Sequence, residues 1–379
     1  MSYKNEYASI FNIEKIIEDT AIIDQLSRQS IRADLLESEY ELVNQKEVQQ
    51  ATHSFERISV IDWGFIRVPI TKGSFMGVLR ISINTFKIED YKKIQEKKYP
   101  IAYDFESILD QKVYNFTLPF GDIRYKGNTP DLEEILSDFI IDNELESFLK
   151  VLYPRENNPV KVFTQQVRYN AGYNLKSRGD DLNKLLGLIL TTLEHIIFLN
   201  HFHIQRIQNP DFIASWCFIK DGPLWFTQSL LATAFKEYFH NCPHPYYYIG
   251  LEKSWKLTDF MEAYKESFNN NSYIVVNEEF VSTELDYGES AGSYFNNTYS
   301  EKILLRQDDT YSVVNIVTQN SNIALKASHI APLLKEFKTS LYENALIPLV
   351  ITNESSSLSS KGIDFIREQI VEKIQKDSK

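Results

Sequence analysis

"RISVIDWGFIRVPI" (57–70) and "GVLRISINTFKI" (77–88) decide how this chain folds. In the first, Ile58, Val60, Ile61, Phe65, Ile66 and Val68 read as a strand. The second alternates cleanly and should pair with it as a hairpin. Asp62 is out of place in that reading. A charged residue within a core-facing strand is costly unless it is paired or binds a cation. The plain alternative is a strand-end Asp capping a turn at Gly64.

Outward from the hairpin, the elements alternate. Upstream, Ile10, Ile13, Ile16, Ile17, Ile22, Ile23 and Leu26 have helical spacing, which predicts a helical N-terminal arm over about 5–50. Such an arm suits packing or dimerisation. Downstream, "IEDYKKIQEKKYPI" is charged and reads as solvated, and 129–153 reads as a helix that Thr129 or Asp131 can cap. "PVKVFTQQVRYN" (159–170) reads as a strand. "DDLNKLLGLILTTLEHIIFLNHFH" (180–203) is the clearest helix, with Leu182, Leu185, Leu186, Ile189, Leu193, Ile196 and Ile197 on one face. At about 100° per residue, Glu194 falls on the border of that face. "DFIASWCFIKDGPLWF" (211–226) is a strand that ends at Asp221-Gly222. A helix, a strand, a basic turn and a helix, a hairpin with Asp308-Asp309 at its turn, a helix, a short apolar strand "ALIPLVIT" (345–352) and a charged helix follow. The polar stretch 268–300 reads as a loop.

This order is α/β. It divides into the arm (1–56) and one large domain (57–379), with an α+β insertion at about 89–178. The chain has 379 residues, 43% of them hydrophobic, enough for a sizeable core. A net charge of −12 argues against a surface that binds nucleic acid everywhere, though not against a local basic channel. Two cysteines outside any zinc spacing suggest a reducing compartment. No long uninterrupted apolar run marks a signal peptide or membrane span, so the expectation is a cytoplasmic protein. No GxxxxGK[ST] motif is present, so a motor, if one is needed, is another protein.

Three acids remain as candidates for chemistry: Asp62 inside a strand, Glu194 on a helix border and Asp221 at a strand end. The plain readings are a turn at Asp62, an ion pair or solvated edge at Glu194 and an Asp-Gly turn at Asp221. If they converge, they form an oxygen-rich site for hard divalent cations, able to activate water against a phosphodiester. If they lie more than about 10 Å apart, the chain is better read as an unrelated α/β binding protein.

Four segments, in order, resemble the NurA family of DNA-end-processing nucleases. "VIDWG" (60–64) resembles its "VDGS" motif, and "FIKDGPL" (218–224) its second Asp-Gly motif. "YIGLEKSWKLTDF" (248–260) resembles the basic segment that follows, and "ALIPLVITNESSSLS" (345–359) the closing motif. The resemblance implies an RNase H-like mixed sheet flanked by helices. It implies a manganese- or magnesium-dependent deoxyribonuclease acting in end processing or phage defence. DNA, a HerA-like hexameric ATPase and a second copy of the chain are its implied partners. Asp62 and Asp221 fall on the family's metal-binding aspartates, and Glu194 is the choice for its helix-borne glutamate. Lys253 and Lys256 would contact DNA. The chain also departs from the pattern. Trp63 replaces a Gly, Asn353 stands where the family has a His, and Ala345 where it has a Tyr. Asn can ligate through oxygen but cannot act as acid or base. A catalytically inactive NurA-like subunit that binds and regulates the ATPase is therefore the alternative.

Overall fold

The computed structural model describes residues 45–96, 104–171, 180–280, 296–338, 346–358 and 363–377, short breaks within these ranges aside. The expected N-terminal helix lies outside them up to residue 44; within them, Lys46–Glu47 is a short strand, β1, paired antiparallel with a later strand. Lys253, Lys256 and Ala345 also lie outside the described residues.

The hairpin is present. β2 (Arg57–Thr71) and β3 (Ser74–Lys87) pair antiparallel along their whole length, closing at Lys72-Gly73, where Gly73 takes a positive φ of 100°. β4 (Asp110–Phe120) extends the meander on the outer edge of β3. It falls inside the stretch read as an insertion. β5 (Trp216–Asp221) runs parallel to β2 on the other side, and β6 (Tyr247–Glu252) parallel to β5. β7 (Ser272–Val276), β8 (Glu301–Gln307) and β9 (Thr310–Ile316) are antiparallel additions. The full order is β1-β7-β8-β9-β6-β5-β2-β3-β4. The segment β4-β3-β2-β5-β6, an antiparallel meander continued by two parallel strands, is the RNase H-like arrangement.

Helices cover both faces. On the first lies α5 (Asp180–Gln208), whose Leu186, Ile189, Leu193 and Ile197 are fully buried with Leu79, Ile81 and Ile83 of β3. Behind it, α2 (Leu132–Asp142), α3 (Glu146–Leu152), α4 (Pro159–Ala171) and α6 (Ser229–His240) join the same core. α5 is long and apolar enough to cross a membrane, but its most apolar window is 83% buried within the protein, as suits a core helix. The second face carries α1 (Ile88–Gln95), α7 (Ile323–Phe337) and α8 (Ile347–Ser356), packed on Ile58, Val60, Ile219 and Ile249. α9 (Ile363–Asp377) closes the chain.

Five readings change. Within 268–300, read as a loop, Ser272–Val276 is the strand β7, paired with β1 and β8 and burying Tyr273, Ile274 and Val276. Residues 159–171 are a helix rather than a strand: Asn158 accepts from the Lys161 N–H at its start, and Phe163 and Val167, one turn apart, are buried. "ALIPLVIT" contributes to helix α8, with Pro348 in the first turn and the Thr352 hydroxyl bonded back to its carbonyl. The charged stretch after β3 forms α1 and buries Tyr91 and Ile94. The helix expected over 129–153 is two, broken at Asn143-Glu144, with Asp131 capping the first.

Gly64 sets how closely α8 approaches. A Cβ there would stand 2.7 Å from the Ser356 carbonyl oxygen and 3.3 Å from its carbon. Gly64→Ala should therefore cost about 1–3 kcal/mol, as overpacking does. An unchanged urea midpoint would show that α8 is not seated against β2 in this way.

Candidate functional site

The parallel register of β2 and β5 builds the site. Ile61 is aligned with Lys220, so Asp62 and Asp221 are the next residues on neighbouring strands, at the carboxyl end of β5. Side chains alternate along each strand. Val60 and Ile219 point to the α7 and α8 face, and Ile61 and Phe218 to the α5 face. Asp62 and Asp221, two residues beyond Val60 and Ile219, stand on the α8 face.

Asp62 is 5% exposed. Its Oδ1 accepts from the Trp63 N–H at 2.7 Å, and its Oδ2 from the Asn353 side-chain amide at 2.7 Å. Charge-assisted bonds of this kind fix a carboxylate's orientation. Asn353 is held in place because α8 is tied to β3, through Asn84 to Thr352 at 3.1 Å and to Ser355 at 3.3 Å. The residue two positions before Gly64 thus meets the helix that Gly64 admits. Asp221 is half-buried, and the chain turns sharply after it. Gly222 takes a φ of 91°, and its N–H donates to Leu251 at 2.7 Å. Gly250 leaves room for that turn: a Cβ there would lie 2.5 Å from the Gly222 oxygen.

Glu194 comes from the other side. It is fully buried on α5, and its Oε2 lies 2.8 Å from the Lys220 ammonium, itself 2% exposed. The expected border position is buried because that side of α5 faces the sheet, where Lys220 of β5 meets it. So the structure brings Asp62, Asp221 and Asn353 to one face, and places Glu194 behind the sheet against Lys220. Among the described residues, no group of three or more His, Cys, Asp and Glu could hold a metal ion. Trp63, too, turns to the α5 face, where it packs against the core and stacks with Phe65. The histidines of α5 are structural. His201 contacts Ser59 at 3.2 Å and Thr85 at 3.4 Å, and burial pushes its pKa down to about 3. His195 meets the Tyr299 hydroxyl at 2.6 Å.

Lys220 is the residue that the sequence reading passed over. Its signal was available: a lone lysine inside an apolar strand must find a counter-charge. Glu252 of β6 and Lys302 of β8 make another buried pair at 2.5 Å across β9, whose Asn315 donates to Glu252 at 2.8 Å.

No protein-family model matches the chain, and no curated protein matches it. Among solved structures it is similar to NurA, at 10% identity and a TM-score of 0.30, covering 95% of each chain. It is also similar to endonuclease V of Ciona intestinalis, in complex with a 24mer DNA containing an inosine followed by a ribo-adenosine. There the identity is 13% and the TM-score 0.28, with 93% of this chain and 99% of that one covered. At such scores the likeness adds nothing to what the strand order itself shows.

Burial pushes the Glu194 carboxyl from 4.5 up to about 8; Lys220 pulls against this, and the charges of Asp62 and Asp221 add to it. A carboxyl raised on folding stabilises the fold fully below its unfolded value, and that contribution is lost as pH rises through the folded value. The share owed to Glu194 is therefore complete below about 4.5 and gone above about 8. Urea midpoints should fall more steeply across this window for the wild type than for Glu194→Gln. Parallel profiles would show that Glu194 titrates as an ordinary carboxyl.

Proposed function

We propose that this chain is a divalent-cation-dependent DNA nuclease, acting on DNA ends beside a HerA-like hexameric ATPase. The observation that carries the reading is the pair of carboxylates, Asp62 and Asp221, at adjacent positions where β2 and β5 run parallel. The carboxyl ends of parallel strands are where open α/β sheets bind ligands. The ordered sequence motifs supply the substrate class.

The donor set fits one hard cation. Magnesium in particular is commonly held by one or two carboxylates, with water and substrate phosphate completing its shell; manganese accepts the same oxygen donors. Asp62 and Asp221 are the residues that would hold it, and when bound it would supply an acidified water and charge neutralisation at the phosphodiester. Asn353 holds Asp62 in one orientation through its amide. Having no titratable proton, Asn353 leaves proton transfer to solvent, where a histidine would take part in it. With a net charge of −12, the DNA path is a local channel rather than the whole surface, and a homodimer would line it.

With manganese and its ATPase, the protein should cut a labelled duplex. Asp62→Ala and Asp221→Ala should abolish cutting, and Asn353→Ala should slow it about 10–100-fold, as loss of a ligand-orienting group does. Intact DNA with the wild type would instead identify a subunit that anchors the translocase without cutting. Undiminished cutting by Asp221→Ala would remove the site from the reaction.

A further inference from the structure

Lys220 lies at the point where the two faces of the sheet edge meet. Its ammonium makes two contacts: Glu194 Oε2 at 2.8 Å, and the main-chain carbonyl of Asp221, to which it donates at 2.7 Å. It also sits beneath the turn, 3.6 Å from where a Cβ on Gly222 would be. An ammonium offers three donors and a fixed positive charge. Here the ammonium lies against the acid behind the sheet, and one of its donors meets the backbone that carries the acid in front of it.

Resting on the nuclease reading above, we propose that Lys220 takes the place of a second metal ion. Its ammonium occupies the Glu194 carboxyl and clamps the Asp221 main chain, so that this edge binds a single divalent cation, held by Asp62 and Asp221. A two-ion centre needs carboxylates enough for both ions. Glu194 is the acid that would supply the second, and it is fully buried with an ammonium already against it. A cation arriving there would have to displace Lys220 or sit beside it against like-charge repulsion. The clamp on Asp221 is a separate contribution. It fixes the peptide immediately before Gly222, at the positive φ where the chain leaves the strand.

The two contacts can be told apart by Mn²⁺ titration calorimetry on the full chain, without DNA. The wild type should bind one Mn²⁺ per chain. Glu194→Gln and Lys220→Met both alter the Lys220–Glu194 contact, but only Lys220→Met loses the bond to the Asp221 carbonyl. Lys220→Met should therefore weaken Mn²⁺ about 10–100-fold, while Glu194→Gln keeps one ion at near wild-type affinity. Two ions per wild-type chain, or equal weakening in both variants, would overturn the proposal and leave the nuclease reading standing. A wild type that binds no Mn²⁺ would remove the nuclease reading, and the proposal with it. If Lys220→Met does not fold, the wild-type count and Glu194→Gln decide: one ion, unmoved by Glu194→Gln, supports the proposal, and a lost ion overturns it.

Discussion

Strands that lie side by side and point the same way cannot be joined by a turn, and the structure depends on one such pair. β2 and β5 are parallel, so everything between them is crossover. The meander of β3 and β4 takes the chain to one edge of the sheet. The helices α2 to α4 bury the space beneath, and α5, 29 residues and roughly 40 Å long, brings it back. Because the ladder is in register, the two strands deliver their last carboxylates to neighbouring positions. The β2–β5 ladder thus supports both the core and the candidate site.

The same ladder places charge where it is costly. Side chains alternate, so Lys220 and Asp221, neighbours in sequence, face opposite layers. Asp221 reaches the α8 side, where Asp62 and Asn353 meet. Lys220 turns into the α5 core, where burial of an ammonium requires a partner. Glu194 is that partner, one helix layer away. The glycines complete the arrangement. Gly64 lets α8 close over β2, and Gly250 makes room for the turn at Gly222. Each is a place where a Cβ would collide with backbone, which cannot swing aside as a side chain can.

Much of this was legible in the sequence. The hairpin, the long helix and the strand ending at Asp221 follow from apolar spacing and from the Asp-Gly break. α4 and α8 did not, because "VKVF" and "LIPLVIT" carry β-branched residues in strand-like order. Their helical form is settled by local end signals, Asn158 and Pro348, and by what they pack on. Glu194 shows the deeper limit. Helical spacing places it on one side of α5, but not which face of the sheet that side meets, since that depends on strand parity. Asn353 was legible by position, and the structure adds its bond to Asp62. Lys220 was readable as a buried lysine in need of an acid; which acid is a matter of tertiary structure.

The central claim is that Asp62 and Asp221 form one centre on the α8 face and that Glu194 lies outside it. Crystals grown with Mn²⁺ and measured at the manganese absorption edge test this most directly. The account predicts an anomalous peak within about 2.5 Å of both aspartates, with the Lys220 ammonium still against Glu194. A peak ligated by Glu194, with Lys220 displaced, would contradict it.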